Sequence, residues 1–162
     1  MKSIFDFISK KSLSITLFES ASAGYLAYRI SQDKNSGILL DGSIVSYDLL
    51  FKKRILNIKQ SLINKYTAES QEVTTQMIVN GKKLFKSDIY ISCTGLLKRG
   101  GSENKYKPVG TFFYCIFFKK NYYNFRIRTK GKPNKKLNTL YKAILKSLSK
   151  NIKKLLLLAS CN

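Results

Sequence analysis

A serine and one of two adjacent lysines are the residues whose types and spacing could do chemistry. Ser20 lies in SITLFESASAGYLAYRI (residues 14–30), where a β-type run ends and small residues precede a helix-like pattern. A hydroxyl at such a corner has two readings. It caps the helix, a role Ser favours together with Ser22, or it is a nucleophile at the carboxyl edge of a sheet, where α/β proteins gather ligands. The small residues Ala21, Ser22, Ala23 and Gly24 would let a substrate come close to the backbone there. A serine attacks only when a base takes its proton. The chain contains no His. That excludes Ser-His-Asp and Cys-His arrangements and any His-containing zinc site. Lys52 and Lys53, in SYDLLFKKRIL, are the base candidates. A free Lys titrates near 10.4, so general-base work near neutrality needs a depression of about three pH units. Burial beside apolar groups and nearby positive charge both act in that direction. Phe51 and Leu56 offer the first, and Lys53 and Arg54 the second. The alternative is an ordinary solvated helical lysine, and periodicity does not choose between Lys52 and Lys53. Thr94-Gly95 and KPVGT (residues 107–111) add two further polar turn segments.

The elements that must position these groups alternate. Residues 13–18 read as a buried strand and 21–31 as a helix. Residues 38–47 are strand-like with Gly42 interrupting them, and 49–58 are helix-like. Residues 70–85 form a clear helix, with Ser70 as N-cap and Glu72 in the electropositive first turn. A short strand over 88–94 leads into the glycine-containing loop GLLKRGGSENKYKP. Two aromatic-rich strands follow, 109–119 and 122–129, with 119–121 as their turn. The last helix spans 135–159, with Leu137, Leu140, Tyr141, Ile144, Leu145, Leu148, Ile152, Leu155 and Leu156 on one stripe. The expected class is α/β: a three-layer α/β/α sandwich around a mixed, mostly parallel sheet, with residues 1–162 as one domain.

Composition narrows the function further. No window of 18 apolar residues exists to span a membrane, and the first 14 residues have an acid amid their apolar part and no small-residue cleavage site. Cys93, Cys115 and Cys161 are an odd set without metal-ligand spacing and read as reduced, buried thiols of a cytoplasmic protein. The formal charge is +21, and all nine acids lie at or before Glu103, which leaves 15 basic residues beyond it. Such a tail can bind nucleic acid or an anionic membrane. The excess is nearly all Lys spread over several elements, with Arg scarce, and reads instead as compositional bias. The expectation is therefore no obligatory nucleic acid and no membrane, with the terminal stripe docked on the sheet.

In this order and spacing, the segments resemble the C-terminal domain of the CinA (competence/damage-inducible) family, whose stand-alone members are nicotinamide-nucleotide amidohydrolases. The resemblance covers roughly residues 14–148. ESASAG is similar to the family's Glu-Ser-Cys-Thr-Gly-Gly, and VSY followed by Lys52 to its Val-x-Tyr-Ser-Asn-x-x-Lys. ESQEV resembles Val-Ser-Glu-x-Val, TGLLKRGGSE resembles the Thr-Gly-Ile-Ala-Gly-Pro loop with Gly-Gly-x-Glu, and KPVGT is intact. The resemblance implies a three-layer α/β/α domain that converts nicotinamide mononucleotide to nicotinate mononucleotide and ammonia through a Ser/Lys dyad. Ser20 falls on the nucleophile and Lys52 on the base, the tyrosine-to-lysine spacing favouring Lys52 over Lys53. Tyr47 falls on a site-lining tyrosine, Thr94 on a hydroxyl at the carboxamide end, and Ser36 on a serine of the oxyanion hole. Gly24 is expected against the substrate, and oxyanion donors among the N–H groups that open the following helix. The resemblance implies no cofactor and no metal, a small-molecule mononucleotide partner, and is compatible with a homo-oligomer. Departures are concentrated in the substrate shell. Cys-Thr-Gly has become Ala21-Ser22-Ala23, Gly-Pro has become Lys98-Arg99, and the expected Gly-Asp-Arg is Gly131-Lys132-Pro133. A catalytically silent relative, or a basic nucleic-acid or anionic-surface binder on this fold, is the alternative.

Overall fold

The computed structural model describes residues 4–158, and their side chains through residue 152. Five strands, β1 (Ile15–Glu19), β2 (Leu40–Val45), β3 (Ile89–Gly95), β4 (Thr111–Phe118) and β5 (Asn121–Arg128), form one sheet in the order β2-β1-β3-β4-β5. β1 pairs in parallel with both β2 and β3, whereas the β3–β4 and β4–β5 ladders are antiparallel. Four strands thus share one direction, and β4 alone runs against them. The sheet is mixed, as expected, with its parallel pairing confined to the β2-β1-β3 half.

Strand periodicity sorts side chains to two faces. Ile15 and Leu17 of β1, Ile89, Ile91 and Cys93 of β3, and Phe112, Tyr114, Ile116 and Phe118 of β4 share one core. That face is covered by α1 (Ile4–Lys10), α2 (Tyr25–Ser31) and α7 (Pro133–Leu158). Phe18, Tyr90 and Cys115 point the other way, against α4 (Leu49–Leu56), α5 (Gln60–Tyr66) and α6 (Gln71–Gly81). The three layers follow from this alternation. On α7, Leu137, Leu140, Tyr141, Ile144, Leu148 and Ile152 are all in the first core, so the described stripe docks on the sheet. Among the described residues no helix is long and apolar enough to cross a membrane. Cys161, Ala159 and the side chains of Leu155 and Leu156 lie outside the described residues.

Several boundaries differ from those expected. The helix expected from residue 21 begins at Tyr25, because residues 20–24 are spent turning the corner. The strand expected over 38–47 surrenders its start to a one-turn helix, α3 (Ser36–Leu39), which buries Leu39 completely. A short apolar run does not by itself distinguish strand from helix. Ser70 caps α6 as expected, its hydroxyl accepting from the Val73 N–H. The short helices α1 and α5 have no counterpart in the expected element order.

Candidate active site

The corner after β1 is organised by Glu19 rather than by either serine. Glu19 is the last residue of β1 and fully buried. Its Oε2 accepts from Ser22 Oγ (2.6 Å), Gly24 N–H (3.0 Å) and Leu26 N–H (3.1 Å). Its Oε1 accepts from Ala27 N–H (2.9 Å) and Ser43 Oγ (3.2 Å). The carboxylate thus satisfies the orphan donors that open α2 and sits at the positive end of that helix. This corrects the expectation that Ser20 or Ser22 is the cap. Ser22 donates to Glu19 and also meets Cys93 Sγ at 2.9 Å. Cys93 itself is a neutral thiol, pushed up to about 12 chiefly by burial.

Freed from capping, Ser20 is held by its backbone. Its N–H donates to the Cys93 carbonyl (3.1 Å) at the carboxyl end of β3. Its side chain meets Lys52, whose Nζ lies 3.0 Å from Ser20 Oγ. The choice between the two lysines is made by α4. Asp48 caps this helix, accepting from Leu50 N–H (2.8 Å) and Phe51 N–H (3.1 Å), and so sets which side of the first turn faces inward. Lys52 is turned in and only 2% exposed, whereas Lys53 turns out and donates to Gln60 Oε1 (2.8 Å). Burial pushes the Lys52 ammonium below its ordinary value, and the charge of Glu69 is the largest influence opposing that shift. A buried amine with a lowered pKa, in hydrogen-bond reach of a serine hydroxyl, is equipped to accept that hydroxyl's proton.

The Ser20–Lys52 pair opens into a cleft with two adjoining lobes, of about 160 and about 370 Å³. Ser20, Tyr47, Glu69 and Gly101 line both. Ala21 and the 95–101 loop complete the smaller, and Leu49, Lys52, Ile63, Thr67, Ala68 and Ser102 the larger. A cavity of about 620 Å³ between α5 and α6 is bigger but is not lined by Ser20, and its one serine, Ser61, has no hydrogen bond to the lysines beside it, Lys59 and Lys65. Glu69, just before the cap of α6, accepts from Ser102 N–H (3.3 Å) and so ties the β3–β4 loop to the cleft. Its carbonyl accepts from Lys107 Nζ (2.8 Å), and the same amine donates to Thr67 Oγ1. Burial depresses Lys107 too. No group of three or more metal-binding side chains occurs among the described residues.

The other expected site residues divide. Tyr47 lines both lobes and is 64% exposed, its ring free to meet a ligand. Thr94 is fully buried and absent from the lining, its hydroxyl 2.7 Å from Thr74 Oγ1, where it ties β3 to α6. Gly24 adopts φ +90° and spends its N–H on Glu19, so it shapes the corner without lining the cleft. Of residues 21–24, Ala21 is the one that lines it. Ser36 opens α3 just before β2, whose first residue pairs with Ile15 at the start of β1. Ser20 follows the far end of β1, a strand length of about 16 Å away, so Ser36 is not brought to the cleft. Nor is Lys132, which precedes α7 and lines neither lobe. The helix-start donors also differ from expectation. Gly24, Leu26 and Ala27 N–H are taken by Glu19, Ala23 and Tyr25 N–H by the Ser20 and Ser22 carbonyls, and Ser22 N–H faces Cys93. That leaves the Ala21 N–H, beside Ser20 in the cleft wall. Two residues with defined roles were not singled out from sequence: Glu19, whose signal is an acid ending a strand that is buried throughout, and Glu69, which has no local signal.

Comparison with known proteins gives a consistent picture. A family model described as the CinA C-terminal domain matches residues 1–152. Over 116 residues the chain is 31% identical to a CinA-like protein of Pseudothermotoga lettingae, covering 71% of this chain and 28% of that protein. It is 35% identical to a CinA-like protein of Prochlorococcus marinus, again over 116 residues, 71% of this chain and 27% of the relative. The chain therefore spans little more than a quarter of these relatives' length. Among solved structures, the competence damage-inducible protein A of Klebsiella pneumoniae superposes with a TM-score of 0.85 at 18% identity, covering 94% of this chain and 98% of that one. An Escherichia coli protein of the CinA superfamily gives 0.77 at 22% identity, covering 90% and 85%. At these identities the structures establish likeness of fold.

Proposed function

The chain belongs to the CinA C-terminal domain family, and on that premise we propose that it is a serine/lysine amidohydrolase that deamidates nicotinamide mononucleotide. The observation that carries this reading is the 3.0 Å contact between Lys52 Nζ and Ser20 Oγ, with both side chains buried and the lysine's charge disfavoured by desolvation. In its neutral form Lys52 accepts the Ser20 proton as Oγ attacks the carboxamide carbon. The Ala21 N–H, immediately after the nucleophile, stabilises the oxyanion. The intermediate collapses when the Lys52 ammonium returns its proton to the leaving nitrogen. Ammonia departs and the nicotinoyl group stays esterified to Ser20. Lys52, neutral again, takes a proton from water, whose oxygen attacks the ester. Transfer of that proton to Ser20 Oγ releases nicotinate mononucleotide.

The test is ammonia release from nicotinamide mononucleotide by the wild type, Ser20→Ala and Lys52→Ala. The wild type is expected to turn over. Removing the base should cost about 10²–10⁴-fold, and removing the nucleophile at least as much. Ammonia release that persists in both variants would overturn the dyad, and none from the wild type would overturn the substrate.

A further inference from the structure

The loop after β3 carries two cations that the fold does not use. Lys98 and Arg99 are exposed and line the same lobe as Ser20, Ala21, Tyr47 and Glu69. Among the described residues neither side chain makes an ion pair or has a hydrogen-bond partner. Their position is nevertheless fixed from both sides. Lys136, 9% exposed on α7, donates to the Leu97 carbonyl (2.9 Å), and Leu96 is paired to Thr111 and Gly110 through its N–H and carbonyl. Beyond the cations, Gly100 (φ +108°) and Gly101 (φ +62°) turn the chain back so that Ser102 reaches Glu69. A short anchored turn thus presents a guanidinium and an ammonium at the rim of the cleft. Glu69 and Tyr47 line both lobes together with Ser20, whereas the two cations line only the smaller.

That polarity matches a ligand with a cationic aromatic ring at one end and a phosphate at the other. It also answers a gap: the segment 131–133 holds no arginine, and Lys132 does not line the cleft. We infer that Arg99, assisted by Lys98, is the anchor for the substrate's phosphate, with Glu69 facing its cationic ring. A planar guanidinium engages phosphate through two parallel N–H donors, which a lysine cannot reproduce. The inference rests on the amidase reading for the identity of its ligand.

The experiment compares nicotinamide mononucleotide with nicotinamide riboside, which lacks the phosphate, in the wild type, Arg99→Ala and Arg99→Lys. Calorimetric binding of the mononucleotide is measured in parallel on Ser20→Ala with and without Arg99→Ala. Loss of a charge-assisted contact worth about 1.5–3 kcal/mol predicts a rise in KM for the mononucleotide of about 10–100-fold, with kcat nearly unchanged. Arg99→Lys should be intermediate, and the riboside indifferent to both changes. Thermal melting verifies that the variants fold. If the wild type turns over the mononucleotide with a KM that Arg99→Ala leaves unchanged, the anchor is refuted while the amidase reading stands. If the wild type does not turn it over but binds it in an Arg99-dependent way, the amidase reading fails and the anchor stands. Absence of both turnover and binding overturns both.

Discussion

Replacing Glu19 with Gln tests what holds the nucleophile's corner. The carboxylate is fully buried and accepts five hydrogen bonds, three on Oε2 and two on Oε1. An amide presents one acceptor and one donor group. With its oxygen in the Oε2 position, the amide keeps Ser22, Gly24 and Leu26, and its NH₂ faces Ser43 Oγ and the Ala27 N–H. The Ser43 hydroxyl can rotate to accept, but the Ala27 N–H cannot. The opposite orientation orphans two backbone donors, Gly24 and Leu26, and is worse. The favoured orientation loses a charge-assisted bond of about 1.5–3 kcal/mol and leaves the part-buried Ala27 N–H unsatisfied at about 1–3 kcal/mol. A net destabilisation of about 2.5–6 kcal/mol follows, a large share of the roughly 5–15 kcal/mol that holds a domain folded. Urea unfolding should show a lower midpoint at an unchanged slope. Turnover should fall too, because Ser20 is bonded directly to the residue that moves. A Glu19→Gln protein within about 0.5 kcal/mol of wild type would refute the assignment of this carboxylate as the corner's organiser.

Lys52→Met should abolish ammonia release yet raise stability at neutral pH by about 1 kcal/mol or more, because it removes a buried charge while keeping the side-chain volume. The native pKa of Lys52 is lowered, so the unfolded chain binds more protons in the window from that lowered value up to about 10.5. Wild-type stability therefore gains from this group as pH rises through the window, and the variant lacks that gain. Urea titrations at several pH values check the sign, and a wild-type kcat/KM that does not increase with pH as Lys52 loses its proton would contradict its role as base. Ala23 adopts φ +49°, a left-handed conformation that strains a residue bearing a Cβ. Ala23→Gly should stabilise the protein by about 1 kcal/mol. A lower melting temperature would show that this backbone is not under strain.

How much of this was legible varied with the range of the forces involved. Ser70 before α6 and the alternation along β4 were readable because a cap and a strand's two faces are set within a few residues. The start of α2 was not, since its cap is a glutamate five to eight residues away along the chain, reaching back only after the corner has formed. α3 was hidden for a related reason: its apolar run satisfies a strand pattern equally well, and the burial of Leu39 beneath α1 and α2 decided it. Ser36 matched a site position by order along the chain, but parallel strands separate a residue before β2 from one after β1 by the height of the sheet.

The sequence by itself determined the kind of chemistry open to this protein. A chain without His can activate a serine only with some other base, and the residue types around positions 20 and 52 were sufficient to name the pair or its neighbour. The tyrosine-to-lysine spacing favoured Lys52 over Lys53, but only the tertiary structure brought its amine to Ser20, made Glu19 rather than a serine the cap of the helix, and put Glu69 and Arg99 in one cleft with Ser20. Local pattern reports which way a helix or strand faces. Which groups become neighbours depends on burial and register between segments distant in sequence, and desolvation at that meeting point is what lowers the pKa of an otherwise ordinary lysine.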